Sequence, residues 1–231
     1  MAVVFTNEEK NPNGTRRGLR ATRAHAEGAI IASEAPLHTG ANNWELTAKW
    51  FLHPNAPVPR SAATWPSANG AGLRAWDAED ERSCNAIVAA LAAHQPKRAP
   101  SREDVRHVYD IMCTNSLCVN PGVWVSAPGA PPPVRQLGYY PMFSMINHAC
   151  APNCVLKPAE GRAESAAAKV LVALRPIAAS EELTITYMLD TFDTVPVQLR
   201  QRELKRDFGF TCACTLCAQQ LRAESTPCAD P

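Results

Sequence analysis

The chain has 231 residues, a net charge of +1 and 46% hydrophobic residues. This suffices for one large domain or two small ones with a real core, and it excludes a global electrostatic case for nucleic acid or an anionic membrane surface. No apolar run is long enough to span a bilayer. Residues 1–9 lack the basic and apolar regions of a secretory signal, so the protein is expected inside the cell. There, its nine cysteines argue against a disulfide framework and toward metal ligation, with several thiols left free.

Residues 13–40 read as short strands. Gly14 and Gly18 punctuate a basic turn, and Ala29-Ile30-Ile31-Ala32 forms an apolar run. A glycine between strands lets backbone approach a ligand closely. The strand–GxGxxG–helix context of a dinucleotide site is absent. Residues 41–112 change character and predict helices. Asn43 to His53 is the first, followed by a Pro- and Ser-rich loop. Asp77 then caps a helix whose first turn holds Glu79, Asp80 and Glu81, where negative charge suits the dipole. Cys84, Ile87, Val88, Leu91 and Ala92 form its apolar stripe, and Pro96 and Pro100 stop it. Ser101 and Asp104 resemble a capping box ahead of Val105, Val108, Tyr109 and Met112. These stripes are packing faces, and His94 and His107 are not read as ligands.

A Pro-rich segment, Ser126 to Val134, is an extended surface loop. Lys169 to Leu174 is a strand that Pro176 ends. Glu182-Leu183-Thr184-Ile185-Thr186-Tyr187 alternates and is β-branched, a strand with Tyr187 at its end. Val197 to Asp207 is a basic helix with Arg200, Arg202, Lys205 and Arg206 on its solvated face.

Two stretches carry chemistry that packing does not need. Ser144-Met145-Ile146 begins as a buried strand would, then breaks into Asn147-His148-Ala149-Cys150-Ala151-Pro152-Asn153-Cys154. Buried polar groups cost roughly 1–3 kcal/mol each when unpaired. The run is either a strand end and its turn, or a place where Asn147 and His148 bind a polar ligand and a cysteine holds metal. Near the C-terminus, Cys212, Cys214 and Cys217 form a C-x-C-x-x-C cluster, best explained by tetrahedral Zn²⁺. A closed structural site needs a fourth ligand, and Cys150, Cys154, Cys228 and His148 are the candidates. If Cys150 supplies it, the metal pins the tail to the Asn147-His148 stretch and sets Phe208 and Phe210 beside Asn147, His148 and Tyr187.

In this order the pieces resemble a SET-domain lysine methyltransferase of the SMYD-like branch. Arg17-Gly18-Leu19-Arg20-Ala21-Thr22 resembles the N-terminal glycine motif, and Asn115-Ser116-Leu117 an Asn-Ser-Phe element. Tyr140-Pro141 with Asn147 to Cys154 resembles the NHxCxPN signature. Glu182 to Tyr187 resembles the strand of the active-site tyrosine, and Phe208 to Cys217 the post-SET zinc motif. The resemblance implies an α+β fold, mainly short β-strands in a β-clip-like SET arrangement, with a threaded, knot-like core. It divides the chain into N-terminal SET strands (1–40), a helical insertion (41–112), a SET core (113–190) and a post-SET helix with its zinc motif (191–231). No cysteine and histidine pattern for a MYND finger occurs in the insertion, and no C-terminal helical domain is expected.

The implied reaction moves a methyl group from S-adenosylmethionine to the side-chain amine of a protein lysine, leaving S-adenosylhomocysteine. The alternative is an inactive SET-like, zinc-containing interaction module. By resemblance Tyr187 is the catalytic tyrosine, and Tyr140, Ile185 and Phe208 line the substrate channel. Arg17, Gly18, Leu19, Arg20, Asn115, Ser144, Asn147, His148, Tyr187 and Phe210 line the cofactor site. Cys150, Cys212, Cys214 and Cys217 hold a structural zinc, which leaves Cys154 a buried free thiol and Ser144 to Ile146 a strand feeding the core. Ile185, two residues before Tyr187, lacks the hydroxyl that holds water in monomethylating members, so the enzyme is expected not to stop at one methyl. The expected partner is a protein or peptide substrate, without nucleic acid or membrane, acted on by a monomer in the nucleus, the cytoplasm or both.

Overall fold

The computed structural model describes residues 2–6, 18–53, 76–119, 136–159, 167–188 and 194–225. The basic turn with Arg17, the Pro-rich loops at 54–75 and 126–134, and Cys228 lie outside the described residues. In chain order the elements are β1 (Val3–Thr6), β2 (Gly18–Ala21), β3 (Ile30–Glu34), β4 (His38–Gly40), α1 (Asn43–Leu52), α2 (Ala78–His94), α3 (Arg102–Asn115), β5 (Ser116–Cys118) and β6 (Leu137–Tyr139). Then follow β7 (Asn147–His148), β8 (Cys154–Pro158), β9 (Lys169–Ala173), β10 (Glu182–Ile185), α4 (Val197–Phe208) and α5 (Thr215–Ser225). The chain forms two units, and neither is continuous in sequence: residues 1–33, 145–159 and 169–231 make the first, 34–144 and 160–168 the second.

The first unit holds two small sheets. One has the order β1-β2-β10-β7, antiparallel except for the parallel pair β10 and β7, in which Thr184 faces Asn147 and Ile185 faces His148. The other has the order β3-β9-β8. β-branched and aliphatic residues make these strands because they pack well on a pleated, half-buried surface; Leu19, Ile146, Leu171, Ile177 and Leu183 are fully buried. β1 was not expected. It pairs with β2 from Val3↔Ala21 to Thr6↔Gly18, and four residues are too few for alternation to stand out. The expected strand from Ser144 to Ile146 is instead a 3-10 turn over Phe143–Met145. Pro141 begins the turn, and the Ser144 amide donates to the Tyr140 carbonyl at 2.8 Å. The strand starts only at Asn147.

The second unit packs α1, α2 and α3 with the sheet β4-β6-β5. Its core contains Leu46, Trp50, Val108, Met112, Leu137 and Tyr139. Both expected caps form. The Asp77 carboxylate accepts from the Glu79 and Asp80 amides while Asp80 accepts from the Asp77 amide, and Ser101 and Asp104 close the same reciprocal box. Each satisfies donors that a helix start otherwise leaves orphaned. The partly buried Glu34 carboxylate accepts from the Met142 and Phe143 amides at 2.7 and 2.8 Å, fixing the chain just beyond Tyr140.

Candidate functional site

The first unit brings β7, β10 and the segment between α4 and α5 to one place. Gly209 ends α4 in the left-handed region, with φ 75°, and its amide donates to the Lys205 carbonyl. A residue without Cβ adopts that conformation without strain. The chain then turns so that the Phe208 and Phe210 rings lie 6.5 Å apart, with Phe208 4.9 Å from Tyr187 and Phe210 5.9 Å from His148. Tyr187 and His148 are 5.3 Å apart. Tyr187, Phe208 and Phe210 each keep part of their surface exposed.

Tyr187 stands two residues past β10 rather than at the strand end. The ladder has stopped there, and side chains take over. Its amide donates to His148 Nδ1 at 3.0 Å, and its hydroxyl donates to the Ile146 carbonyl at 2.7 Å. Burial raises the phenol above its ordinary pKa near 10, with the Glu182 charge adding to the shift. His148 is itself buried, which pushes its pKa down to about 4 and keeps the ring neutral. That suits an Nδ1 that must accept.

Below the rings lie the sulfurs. The Sγ atoms of Cys150, Cys212, Cys214 and Cys217 all fall within 4.8 Å of one another. Cys150 is 3.5 Å from Cys217 and 3.9 Å from Cys212. A disulfide would need about 2.05 Å, whereas a tetrahedron with Zn–S near 2.3 Å has edges of about 3.8 Å. Four sulfurs at that spacing, three of them buried, fit a structural zinc with no open position. Cys154 is buried but outside the group, and burial pushes its thiol up to about 12. Among the described residues this is the one cluster of cysteine, histidine or carboxylate side chains able to hold a metal.

Three flanking residues escaped the sequence reading. Arg200 is not on a solvated face: it is fully buried. Its guanidinium donates to Cys217 Sγ at 3.6 Å, to the Val195 carbonyl and to Gln220 on α5. Four thiolates around a dication leave two negative charges, and a buried cation beside them offsets part of that charge. The basic run of α4 masked it, because three neighbouring cations do face solvent. Gln201, next in sequence, reads the Cys212 backbone in both directions: the Cys212 amide donates to its Oε1 at 2.7 Å and its Nε2 donates to the Cys212 carbonyl at 2.6 Å. The third missed residue is Asn153, also buried. Its Nδ2 donates to the Glu182 carbonyl at 2.7 Å, and its Oδ1 accepts from the Thr184 amide at 2.8 Å. It laces the Pro-Asn turn to β10, and its place in the NHxCxPN run was the only signal for it.

The remaining site residues fall as follows. Asn147 Nδ2 donates to Glu182 Oε1 at 2.7 Å, directly over Gly18. A Cβ on Gly18 would come within 2.8 Å of that nitrogen and 2.9 Å of that oxygen. Leu19 is core, Arg20 donates to the Ser180 carbonyl at 2.8 Å, and Ile185 is buried opposite His148. Three others belong to the second unit: Tyr140, buried with its hydroxyl donating to the Ala167 carbonyl; Ser144, whose hydroxyl donates to the Pro141 carbonyl; and Asn115, which bonds back to Ile111 in α3.

A sequence model of the SET domain matches residues 16–188. The chain belongs to the SET-domain family. Its relatives include human histone-lysine N-methyltransferase SMYD1, 25% identical over 153 residues, which is 62% of this chain and 29% of that protein. Histone-lysine N-methyltransferase ATXR2 of Arabidopsis thaliana is 38% identical over 82 residues, covering 35% of this chain and 16% of that one. Mouse histone-lysine N-methyltransferase SMYD3 is 37% identical over 84 residues, covering 36% and 18%. The chain thus spans under a third of the length of each of these relatives. The SET domain of LSMT, solved with lysine and AdoHcy, superposes with a TM-score of 0.51 at 13% identity, over 91% of this chain and 53% of that one. At that identity the match concerns the fold. It agrees with the mixed helices and short strands of this SET domain, and no helix among its described residues is long and apolar enough to cross a membrane.

Proposed function

We propose that this SET domain transfers a methyl group from S-adenosylmethionine to the ε-amine of a lysine in a protein substrate. One observation carries the reading: Tyr187 is held at its amide by His148 and at its hydroxyl by Ile146, inside a ring cluster that the cysteine group anchors from below. The names of the relatives, all histone-lysine N-methyltransferases, point the same way.

The exposed parts of Phe208, Phe210 and Tyr187, with the partly exposed Asn147 next in sequence to His148, fit an adenosine that carries an amino-acid tail: flat apolar faces for the base and polar groups for the rest. Phe210, Asn147 and the backbone at His148 and Gly18 would hold it. When bound, the cofactor supplies a methyl on a positively charged sulfur. The chain supplies the geometry, which is the largest contribution a protein makes to an in-line displacement. The amine must be neutral to attack, and free lysine has a pKa near 10.4. Aromatic walls at Tyr187 and Phe208 desolvate it and disfavour the ammonium. The Tyr187 proton is committed to the Ile146 carbonyl, so the phenol oxygen offers lone pairs and orients an incoming N–H by accepting from it. A phenol whose pKa is raised further is no general base near neutrality. Zinc is structural, and a reduced thiolate cluster suits the reducing interior of a cell.

The test is methyl transfer from labelled S-adenosylmethionine into a cell extract, comparing the protein with Tyr187→Phe. The amine gains positive charge as it takes the methyl, so losing this oriented hydrogen bond, worth about 1.5–3 kcal/mol to a charged donor, predicts a rate lower by roughly 10- to 150-fold. No incorporation by the unmodified protein, with zinc and cofactor both bound, would overturn the proposal in favour of an interaction module.

A further inference from the structure

His148 sits between the cysteine cluster and Tyr187 and touches both. Its Nδ1 lies 3.0 Å from the Tyr187 amide, and its Nε2 lies 3.3 Å from Cys150 Sγ. A backbone amide can only donate. Nδ1 must therefore present its lone pair, and the single proton of the neutral ring is assigned to Nε2. That proton faces Cys150. A metal-bound cysteine is a thiolate, a stronger acceptor than a thiol, so N–H···S⁻ becomes charge-assisted when metal is present. The ring is buried and flanked by Phe210 at 5.9 Å, which leaves it little room to turn. Tyr187 stands beyond the last ladder residue of β10, so its backbone depends on side chains for its position.

We infer that His148 is a positioning residue that couples metal loading of the Cys150–Cys212–Cys214–Cys217 cluster to the placement of Tyr187. One tautomer serves both ends. A loaded cluster holds the proton on Nε2, facing sulfur, and this leaves the Nδ1 lone pair facing the Tyr187 amide. With the metal gone, Cys150 is a weaker acceptor, the Nε2–H tautomer loses its preference, and the Tyr187 amide loses a fixed acceptor. The inference gives the cluster a role in the site besides fastening the tail. It draws its functional meaning from the methyl-transfer reading, but its evidence is independent of that reaction.

The experiment follows the hydrogen exchange of the Tyr187 amide in the full chain, zinc-loaded and chelator-stripped, with the β8–β9 amides as an internal reference. In the unmodified protein, stripping zinc should speed Tyr187 exchange at least tenfold more than it speeds the reference amides. His148→Asn keeps an acceptor oxygen near the Nδ1 position but is too short to reach Cys150, so there the zinc effect on Tyr187 should fall to that on the reference. Equal zinc sensitivity in the two proteins would mean that the effect comes from general loosening of the tail, and it would overturn the inference. Nitrogen chemical shifts of the His148 ring in the loaded, unmodified protein provide a check that needs no variant. They should report Nε2–H with unprotonated Nδ1; an Nδ1–H ring or an imidazolium would overturn the inference as well. An inactive protein with this coupling intact would remove the proposed reaction alone, whereas an active protein whose Tyr187 amide ignores zinc would remove the coupling alone.

Discussion

Arg200→Met removes a buried cation while keeping most of the side-chain volume. The guanidinium lies 3.6 Å from Cys217 Sγ, and at an effective dielectric near 20 a unit pair at that distance interacts by about 4–5 kcal/mol. Burying the guanidinium offsets part of this, since desolvating a cation costs several kcal/mol. A charge-assisted hydrogen bond typically nets about 1.5–3 kcal/mol. Zinc should therefore bind roughly 10- to 150-fold more weakly, at 1.4 kcal/mol per tenfold. Competition against a chromophoric chelator measures this directly. Arg200→Lys should recover only part of the loss, because an ammonium restores a point charge but not the fork that also reaches Val195 and Gln220. Far-ultraviolet circular dichroism at full zinc occupancy checks that the variant is folded. A folded Arg200→Met protein whose zinc affinity lies within twofold of the unmodified chain would refute the counter-charge argument.

Three further outcomes are expected. Cys150→Ser should lose stoichiometric zinc by metal analysis, whereas Cys154→Ser should retain it, since only Cys150 shares the cluster; the reverse pattern would show the wrong sulfur has been assigned. Gly18→Ala should cost about 1–3 kcal/mol from overpacking, and so lower Tm by roughly 2–12 °C. Adding Glu182→Ala should relieve much of that cost, because the carboxylate is one of the two groups in the way; a strictly additive pair would place the strain elsewhere. Given a good substrate and excess cofactor, mass spectrometry should find more than one methyl per lysine, because Ile185 offers no hydroxyl to hold water; a product that stops at one methyl would count against that role.

The features readable from the chain are those set by neighbours in sequence. Asp77 with Asp80 and Ser101 with Asp104 close their capping boxes within four residues, so the local pattern carries nearly all the information. C-x-C-x-x-C brings three ligands together over six residues for the same reason. The fourth ligand was one of several candidates until family resemblance singled out Cys150, and it lies 62 residues before Cys212. Local pattern misled where a short element depends on a distant partner. β1 exists because β2 is there to pair with it. The apolar residues before Asn147 read as strand, but the turn hydrogen bond from Ser144 to Tyr140 bends them into a 3-10 turn.

Sequence by itself determined the SET architecture's ingredients: the glycine that opens β2, the NHxCxPN run, the strand ahead of Tyr187, and the cysteines that call for metal. Tertiary structure alone decided what those groups do to one another. It buried Arg200 against sulfur though its helix reads as solvated, tied Asn153 across to Thr184 and Glu182, and set one His148 nitrogen on Tyr187 and the other on Cys150. The physical reason is common to all three. A polar side chain's role is set by whichever group closes its hydrogen bond or balances its charge once water is gone, and in a folded chain that group is usually far away in sequence.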